Sequence, residues 1–264
     1  MIERLFKLRE EPDQAKPFLQ HLEELRFMLI KMAAVLIAAM FGSFFFRREL
    51  VGIIQRPLVV VDPSAVAKLQ TFGVADSITI SFTLAFYAGL VVSFPLLLLF
   101  LAQFVVPALT RREKKLVFPS IALGSLLFLG GVAFCYFAIL PQALRFFLAD
   151  TQSLSWTPNW TVREYFSFVT QMMIAFGAAF ELPVVVVVLV YLNVISFHLL
   201  HHTRPYAYLA VLALAAVIAP TPDVVSFLSL GVPMCLLYEG CIWIAWLIEK
   251  RRKPAPAIDV IQIP

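Results

Sequence analysis

Long apolar stretches separated by short charged segments dominate this chain. Residues 77–110 form a run of 34 residues without a charged side chain, and residues 116–144 form another of 29. A bilayer core about 30 Å thick is crossed by roughly 20 apolar residues of α-helix. The pattern therefore predicts an all-α integral membrane protein that crosses the bilayer several times.

We predict six transmembrane helices from these stretches and from the prolines near their ends, over residues 27–46, 77–106, 118–140, 164–192, 206–220 and 225–247. Pro107 and Pro141 are expected to end the second and third spans, because proline lacks the N–H that continues a helix. The fifth span, of about 15 residues, is shorter than an average bilayer requires. We therefore expect a concave bundle with short fifth and sixth spans.

Lys and Arg are distributed unequally between the two predicted sides. Fifteen of the 21 basic residues lie in the two tails and in the loops that share their side. Because cytoplasmic segments carry an excess of Lys and Arg, both termini are predicted to be cytoplasmic. The chain then divides into a cytoplasmic N-terminal segment (1–26), a membrane domain (27–248) and a flexible cytoplasmic tail (249–264).

Composition excludes several classes of protein. The chain is 61% hydrophobic and 14% charged, with a mean hydropathy of +0.88, whereas globular domains are about half apolar and a quarter charged. The net charge of +4 follows from the loop bias, so we predict no nucleic-acid partner. Residues 1–31 carry 12 charges, which argues against a cleavable signal peptide. The three cysteines lie in apolar runs and predict packed or lipid-facing thiols, with no metal or cofactor.

Two glutamates, Glu181 and Glu239, lie within apolar spans, where an ionisable side chain is costly and points to function by default. Glu181 stands two residues before Pro183, which leaves a backbone carbonyl without its donor one turn earlier. A carboxyl group beside a broken helix suggests a water-lined cavity that faces the interior of the bundle. A protonated carboxyl hydrogen-bonded to a neighbouring helix is the other interpretation, and it stays open for both residues.

The remaining polar clusters lie at the predicted cytoplasmic face. Glu23 and Glu24 precede the first span, and Glu113 lies in the basic loop after the second. His198, His201 and His202 cluster after the fourth span. We favour a solvated, cation-rich helix end over a metal site for these histidines.

The same residues admit two other functions. A small secondary transporter would use Glu181 and Glu239 as a proton relay, but it predicts inverted repeats, which the sequence does not show. An intramembrane hydrolase would need a catalytic constellation within the spans. His198 and His202 stand four residues apart but lack the glutamate of a zinc-protease motif.

Six short strings occur in a fixed order along the chain: residues 18–26 (FLQHLEELR), 56–58 (RPL), 104–109 (FVVPAL) followed by Glu113, 176–183 (FGAAFELP), 204–206 (RPY) and 221–223 (TPD). Together with the six-span layout, they resemble the TatC family, the multi-spanning subunit of the twin-arginine (Sec-independent) protein translocase. The resemblance extends from about residue 17 to residue 250.

The resemblance implies that Glu24 and Glu113 bind the paired arginines of signal peptides on folded precursor proteins, and that Arg26 and Phe104 shape this site. Glu181 matches the family's intramembrane glutamate, and Pro57 and Asp223 match positions on the outer side. It further implies a non-enzymatic protein of the cell inner membrane that is driven by the proton-motive force. Its implied partners are lipid, precursors and single-span TatA- and TatB-type subunits, in homo- and hetero-oligomers.

Three positions depart from the pattern of the resembled family. Phe100 and Phe227 stand where the family usually has Gln, and Thr83 stands where it usually has Lys. The loss of two amides within the spans removes hydrogen-bonding groups where partner helices would pack. We therefore expect altered contacts with the single-span subunits, whereas the two signal-binding carboxylates are intact.

Overall fold

A computed structural model describes residues 18–110, 114–192, 194–219, 221 and 223–251, and these residues are almost entirely helical. The helices are α1 (Phe18–Phe45), α2 (Arg47–Val61), α3 (Asp76–Val105), α4 (Lys114–Phe134), α5 (Leu140–Ser153), α6 (Val162–Ala179), α7 (Leu182–Tyr191), α8 (Phe197–His202), α9 (Arg204–Ile218) and α10 (Val224–Arg251). Short 3₁₀ turns cover Val66–Lys68 and Val106–Ala108, and a π-helical turn covers Cys135–Ile139.

Five helical stretches in the described part of the chain are long and apolar enough to cross a membrane: His21–Phe45, Asp76–Val105, Val117–Ser153, Val162–Tyr191 and Val224–Lys250. The helix at the predicted fifth span, α9, has 15 residues, which confirms that it is short. The expectation of a short sixth span is wrong, because α10 has 28 residues and is about 42 Å long.

The third span does not end at Pro141. The π turn over Cys135–Ile139 joins α4 to α5, so that one helical stretch runs to Ser153. In the π turn the amide of Leu140 donates to the carbonyl of Cys135, five residues back. Such a wider turn relaxes the clash between a proline ring and the carbonyl four residues before it. Proline therefore marks a local change in helix type here and not the end of the span.

The segment between the first two spans is also more ordered than a loop. Residues 47–61 form α2, and the segment that follows α5 is joined through residue 70 to the chain that follows α2. The amide of Gln70 donates to the carbonyl of Trp160 at 3.2 Å, and the amide of Val162 donates to the carbonyl of Gln70 at 2.9 Å. Helices and short bridges therefore cap this end of the bundle.

Close helix pairs build the body of the bundle. A Cβ added to Gly89 on α3 would lie 2.7 Å from the amide nitrogen of Met40 on α1, so these two backbones touch. His21 stacks on Phe104, and Phe44 stacks on Phe82, which makes α1 and α3 antiparallel. The larger buried core gathers side chains from α2, α3, the π turn, α5, α6, α9 and α10.

Candidate functional site

A groove of about 410 Å³ opens at the end of the bundle where α1 begins and α3 finishes. Its charged and amide-bearing walls come from Glu24, Lys31 and Gln103. The rest of the lining is apolar and consists of Phe27, Met28, Phe100, Phe104 and Pro107. The groove therefore combines a carboxylate with a surface suited to an apolar peptide segment.

The lining follows directly from helical periodicity. The four residues of α1 are spaced i, i+3, i+4 and i+7, and so are the four residues from the end of α3 and the turn after it. Residues at this spacing share one face of a helix. Because the two helices are antiparallel, Glu24 lies beside the end of α3, and Lys31 lies further along α1, on the side of the groove nearer the middle of the bundle.

An aromatic contact fixes the mouth of this groove. The rings of His21 and Phe104 stack with centroids 4.5 Å apart and planes 20° apart. The Nδ1 atom of His21 lies 4.0 Å from Oε2 of Glu24. This long, exposed contact lies within α1 and contributes little stability. The stack, by contrast, joins the start of α1 to the end of α3.

The structure brings together some of the predicted site residues and leaves others apart. Glu24 and Phe104 line the same groove. Arg26 is exposed on α1 and does not belong to the lining. Glu113 lies outside the described residues. Lys31 and Gln103 were not predicted as site residues. For Lys31 the signal is its seven-residue spacing from Glu24, which places Lys31 and Glu24 on one face of α1.

Glu181 lies at the break between α6 and α7. The amide of Glu181 donates to the carbonyl of Ala178 at 3.1 Å, and α7 starts again at Leu182 with Pro183 in its first turn. The predicted break at Pro183 is therefore confirmed. The carboxyl group lies against α4, where a Cβ added to Gly124 would be 3.0 Å from Oε2 of Glu181. Its Oε1 is buried and has no hydrogen-bond partner among the described residues.

Glu239 is held by a neighbouring helix. Its Oε2 lies 3.2 Å from an Nη atom of Arg204, and its Oε1 accepts a hydrogen bond from the hydroxyl of Tyr208. Both partners belong to α9. Glu239 is thus bonded to the adjacent helix, but as an ion pair with Arg204 and not as the protonated carboxyl of the second interpretation. The sequence did not reveal that Arg204 is the ion-pair partner of Glu239.

The opposite end of the bundle contains Pro57 and Asp223. Pro57 is buried inside α2. Asp223 caps α10, because its Oδ1 accepts a hydrogen bond from the amide of Ser226 at 2.7 Å and its Oδ2 accepts one from the hydroxyl of Thr221. Burial acts to raise the pKa of Asp223, but the hydrogen bonds from Thr221 and Ser226 outweigh it and hold the pKa below its ordinary value.

The next residues are the clustered histidines and the three positions that differ from the family pattern. His198 and His202 stack at 6.3 Å, and no group of three potential metal ligands occurs in the described part of the chain. Phe227 packs against the main core, and the hydroxyl of Thr83 donates to the carbonyl of Thr79 at 2.9 Å. Phe100 differs from the other two, because it lines the groove.

These features define a class: a multi-pass helical membrane protein with a groove at one end of its first long helix pair, lined by aromatic residues, a carboxylate and a lysine. Comparison with known proteins makes the class specific. A family model described as Sec-independent protein translocase protein (TatC) matches residues 20–233. The chain belongs to the TatC family.

Individual relatives agree with this assignment. A Sec-independent protein translocase protein TatC from Akkermansia muciniphila is 44% identical over 187 residues, which cover 71% of this chain and 54% of that relative. The chain therefore spans about half the length of that relative. The protein of the same name from Azotobacter chroococcum is 31% identical over 248 residues, covering 94% of this chain and 96% of the relative.

A solved structure is similar over most of the chain. It is described as the crystal structure of twin arginine translocase receptor TatC and has a TM-score of 0.77 at 33% identity, covering 87% of this chain and 99% of that one. The protein is thus a multi-pass membrane component of the Sec-independent translocase, acts in protein transport with other subunits of that system, and is not an enzyme. Family membership sets aside the transporter and hydrolase alternatives.

Proposed function

We propose that the groove is the site where the chain binds the paired arginines of twin-arginine signal peptides on folded precursors. The observation that carries this proposal is that Glu24 and Phe104 line one groove. Arginine is always charged and offers a planar fork of donors that a carboxylate accepts in bidentate fashion. The apolar residues beside Glu24 suit the uncharged part of a signal peptide.

Glu113 is proposed as the second carboxylate. It follows Pro107, which lines the groove, by only six residues. An extended chain of six residues spans at most about 22 Å, and this short separation supports a role for Glu113 near the groove. Charge-assisted hydrogen bonds contribute about 1.5–3 kcal/mol each. Two carboxylates would therefore favour two adjacent arginines over a single one.

We further propose that this groove faces the cytoplasm and that both termini lie on the same side, in the cell inner membrane. The distribution of Lys and Arg, 15 against 6, supports this orientation. In this arrangement the segment 1–26 and the tail 249–264 are cytoplasmic and flank the membrane domain 27–248. Transport would be driven by the proton-motive force, and TatA- and TatB-type single-span subunits would join the chain in the assembled complex.

Peptide binding tests the receptor role. We expect Glu24→Gln and Glu113→Gln each to weaken binding of a twin-arginine peptide about tenfold, the loss of roughly one charge-assisted bond. Glu23→Gln is the matched control, because Glu23 is exposed beside Glu24 and does not line the groove. A peptide with two lysines in place of the arginines should bind the parent protein weakly.

If both Gln variants bind the arginine peptide as tightly as the Glu23→Gln control, the carboxylates are counterions and the proposal fails.

Thiol labelling tests the proposed orientation in the membrane. Single cysteines at Lys115 and Ala255 should react only when the cytoplasmic side is open, and one at Thr157 should react from the outside. Labelling of position 115 from outside would reverse the topology and remove the site from the cytoplasm.

A further inference from the structure

The exposed face of α10 ends in two tryptophans and a lysine. Trp243 is 64% exposed, Trp246 is also exposed, and their rings meet edge to face with centroids 6.4 Å apart. The exposed side chains of Leu236 and Leu247 continue this face, because residues spaced by three, four and seven share one side of a helix. In a helix that crosses a membrane, such an apolar face is open to lipid.

The two tryptophans lie at the depth where a bilayer core ends. α10 begins at Val224, directly after the Asp223 cap, and Trp246 follows Val224 by a rise of about 33 Å along the helix. The hydrocarbon core of a bilayer is about 30 Å thick, and tryptophan is enriched at the level of the lipid headgroups. With Val224 at one interface, Trp246 therefore lies among the headgroups at the other.

The ammonium group of Lys250 is held at this same level. Its Nζ atom lies 4.6 Å from the centroid of the Trp246 ring, which is a cation–π contact. Side chains of an α-helix lean toward its N-terminus, so a lysine can reach the residue one turn before it. A lysine without such a contact extends its ammonium group away from the hydrocarbon into water. The Trp246 ring therefore keeps a positive charge at the depth of the lipid phosphates.

The charge of Lys250 is not neutralised by a carboxylate of the described residues. The ion pairs in that part of the chain do not involve Lys250. The adjacent Glu249 accepts a hydrogen bond of 2.7 Å from the amide of Phe197, so its carboxylate is turned toward α8. The next three residues in the sequence, 251–253, are also basic. A run of four basic residues at the end of a transmembrane helix attracts anionic lipid.

We propose that Trp243, Trp246 and Lys250 form a binding site for an anionic phospholipid at the end of α10. The ammonium group of Lys250 donates hydrogen bonds to the lipid phosphate, and the two indole rings pack against the glycerol and the start of the acyl chains. Phosphatidylcholine carries its own ammonium group beside its phosphate, whereas phosphatidylglycerol has none and is preferred. The bound lipid fixes the depth of α10 in the membrane.

Tryptophan fluorescence measures this preference. The full-length protein is reconstituted into bilayers that contain brominated phosphatidylglycerol or brominated phosphatidylcholine, because bromine on an acyl chain quenches a neighbouring indole. Of the four tryptophans, Trp156 and Trp160 lie in the segment after α5, so their contribution is the same in every variant of α10. We expect the parent protein to favour phosphatidylglycerol about fivefold, the effect of one basic residue near an anionic surface.

Variants of α10 assign the preference to the site. Lys250→Gln should reduce it to at most about twofold, and Lys250→Arg should keep it, because arginine also stacks on aromatic rings and binds phosphate. Trp246→Leu keeps an apolar side chain but releases the ammonium group, so the preference that Trp243 then reports should also fall. Arg145→Gln is the matched control, because it removes one exposed positive charge from α5 and should leave the preference unchanged.

Three results would overturn the inference. The parent protein could show no preference for phosphatidylglycerol, Lys250→Gln could keep the full preference, or Lys250→Gln and Arg145→Gln could lower it equally, which would indicate general surface charge. Added inorganic phosphate should lower the preference no more than NaCl at the same ionic strength. A larger reduction would show that the site takes free phosphate and not lipid. Because the site shares no residue with the groove lining, failure of the receptor proposal would leave these results unchanged.

Discussion

The hydroxyl of Tyr136 donates a hydrogen bond of 2.8 Å to the carbonyl of Ile53. This is the carbonyl that Pro57, four residues further along α2, cannot bond, because proline has no N–H. A second tyrosine, Tyr165, donates to the neighbouring carbonyl of Ile54 at 2.7 Å. The buried proline is thus accommodated in α2 because the hydroxyl of Tyr136, from the π turn, replaces the missing donor to Ile53. Tyr165 of α6 adds a bond to the adjacent carbonyl.

This pairing predicts non-additive effects of substitution. Tyr136→Phe should lower the free energy of unfolding by about 1 kcal/mol, since it leaves the Ile53 carbonyl without a donor. In a Pro57→Ala background the restored N–H of residue 57 serves that carbonyl, so Tyr136→Phe should cost less. Thermal unfolding in detergent measures the free energy of unfolding of each of the four proteins in this double-mutant cycle. Equal costs in both backgrounds would show that the hydroxyl does not compensate for the proline.

Two adjacent glycines of α4 differ in what surrounds them. A Cβ on Gly131 would lie 2.6 Å from the carbonyl oxygen of Phe176, whereas a Cβ on Gly130 would meet no atom within 4 Å. Gly131→Ala should therefore force α4 away from α6 and destabilise the protein by about 1–3 kcal/mol. Gly130→Ala, its matched control, should be neutral or stabilising by up to about 1 kcal/mol. Similar melting temperatures for both variants would contradict this helix contact.

The pair formed by Arg204 and Glu239 should behave as a unit. Glu239→Gln leaves the guanidinium group of Arg204 without its counter-charge. The Nε atom of Arg204 is already buried and has no hydrogen-bond partner among the described residues. Since the two side chains are 34% and 30% exposed, we expect a loss of only about 1–2 kcal/mol. Arg204→Gln combined with Glu239→Gln should cost less than the sum of the single changes. Tyr208→Phe, which keeps the ion pair, is the control.

Substitutions of Glu181 should reduce transport without reducing binding of the signal peptide. Glu181→Gln keeps the shape and the hydrogen-bonding capacity of the side chain, so we expect a modest loss of transport. Glu181→Ala should abolish most transport, because it deletes the only ionisable group at this break within the bundle's described residues. Export of a twin-arginine reporter and binding of its signal peptide should be measured in parallel, with exposed Glu49→Gln as the control.

Peptide binding should be retained in both Glu181 variants, since Glu181 is not part of the groove lining. If Glu181→Gln prevented binding altogether, recognition would extend into the bilayer, and the proposed site would have to include this carboxyl group.

Local features of the sequence predicted most of the helices and one break in them. The predicted fourth span, 164–192, corresponds to the helical stretch Val162–Tyr191. Charge-free runs locate such spans because the bilayer offers no water to the backbone, which must bond within its own helix. The break at Glu181 followed from Pro183, because the effect of proline on its preceding turn is covalent and local.

The ends of helices were less predictable. Pro141 does not end the third span, because a π turn accommodates it. The last helix runs to Arg251, and Glu249 near its end accepts a hydrogen bond of 2.7 Å from the amide of Phe197. Helix ends depend on such contacts with distant segments, which the period of a hydrophobic pattern does not describe.

The sequence by itself determined that this chain spans a membrane through apolar helices, and its ordered strings determined the family. Tertiary structure alone decided which residues meet: Tyr136 with Ile53 across 83 positions, Tyr208 with Glu239 across 31, and His21 with Phe104 beside the groove. Hydrophobic burial is set by composition and period, so it can be read along one helix. A hydrogen bond or an ion pair depends on the register between helices to within a fraction of an ångström, and that register is fixed only when the helices pack.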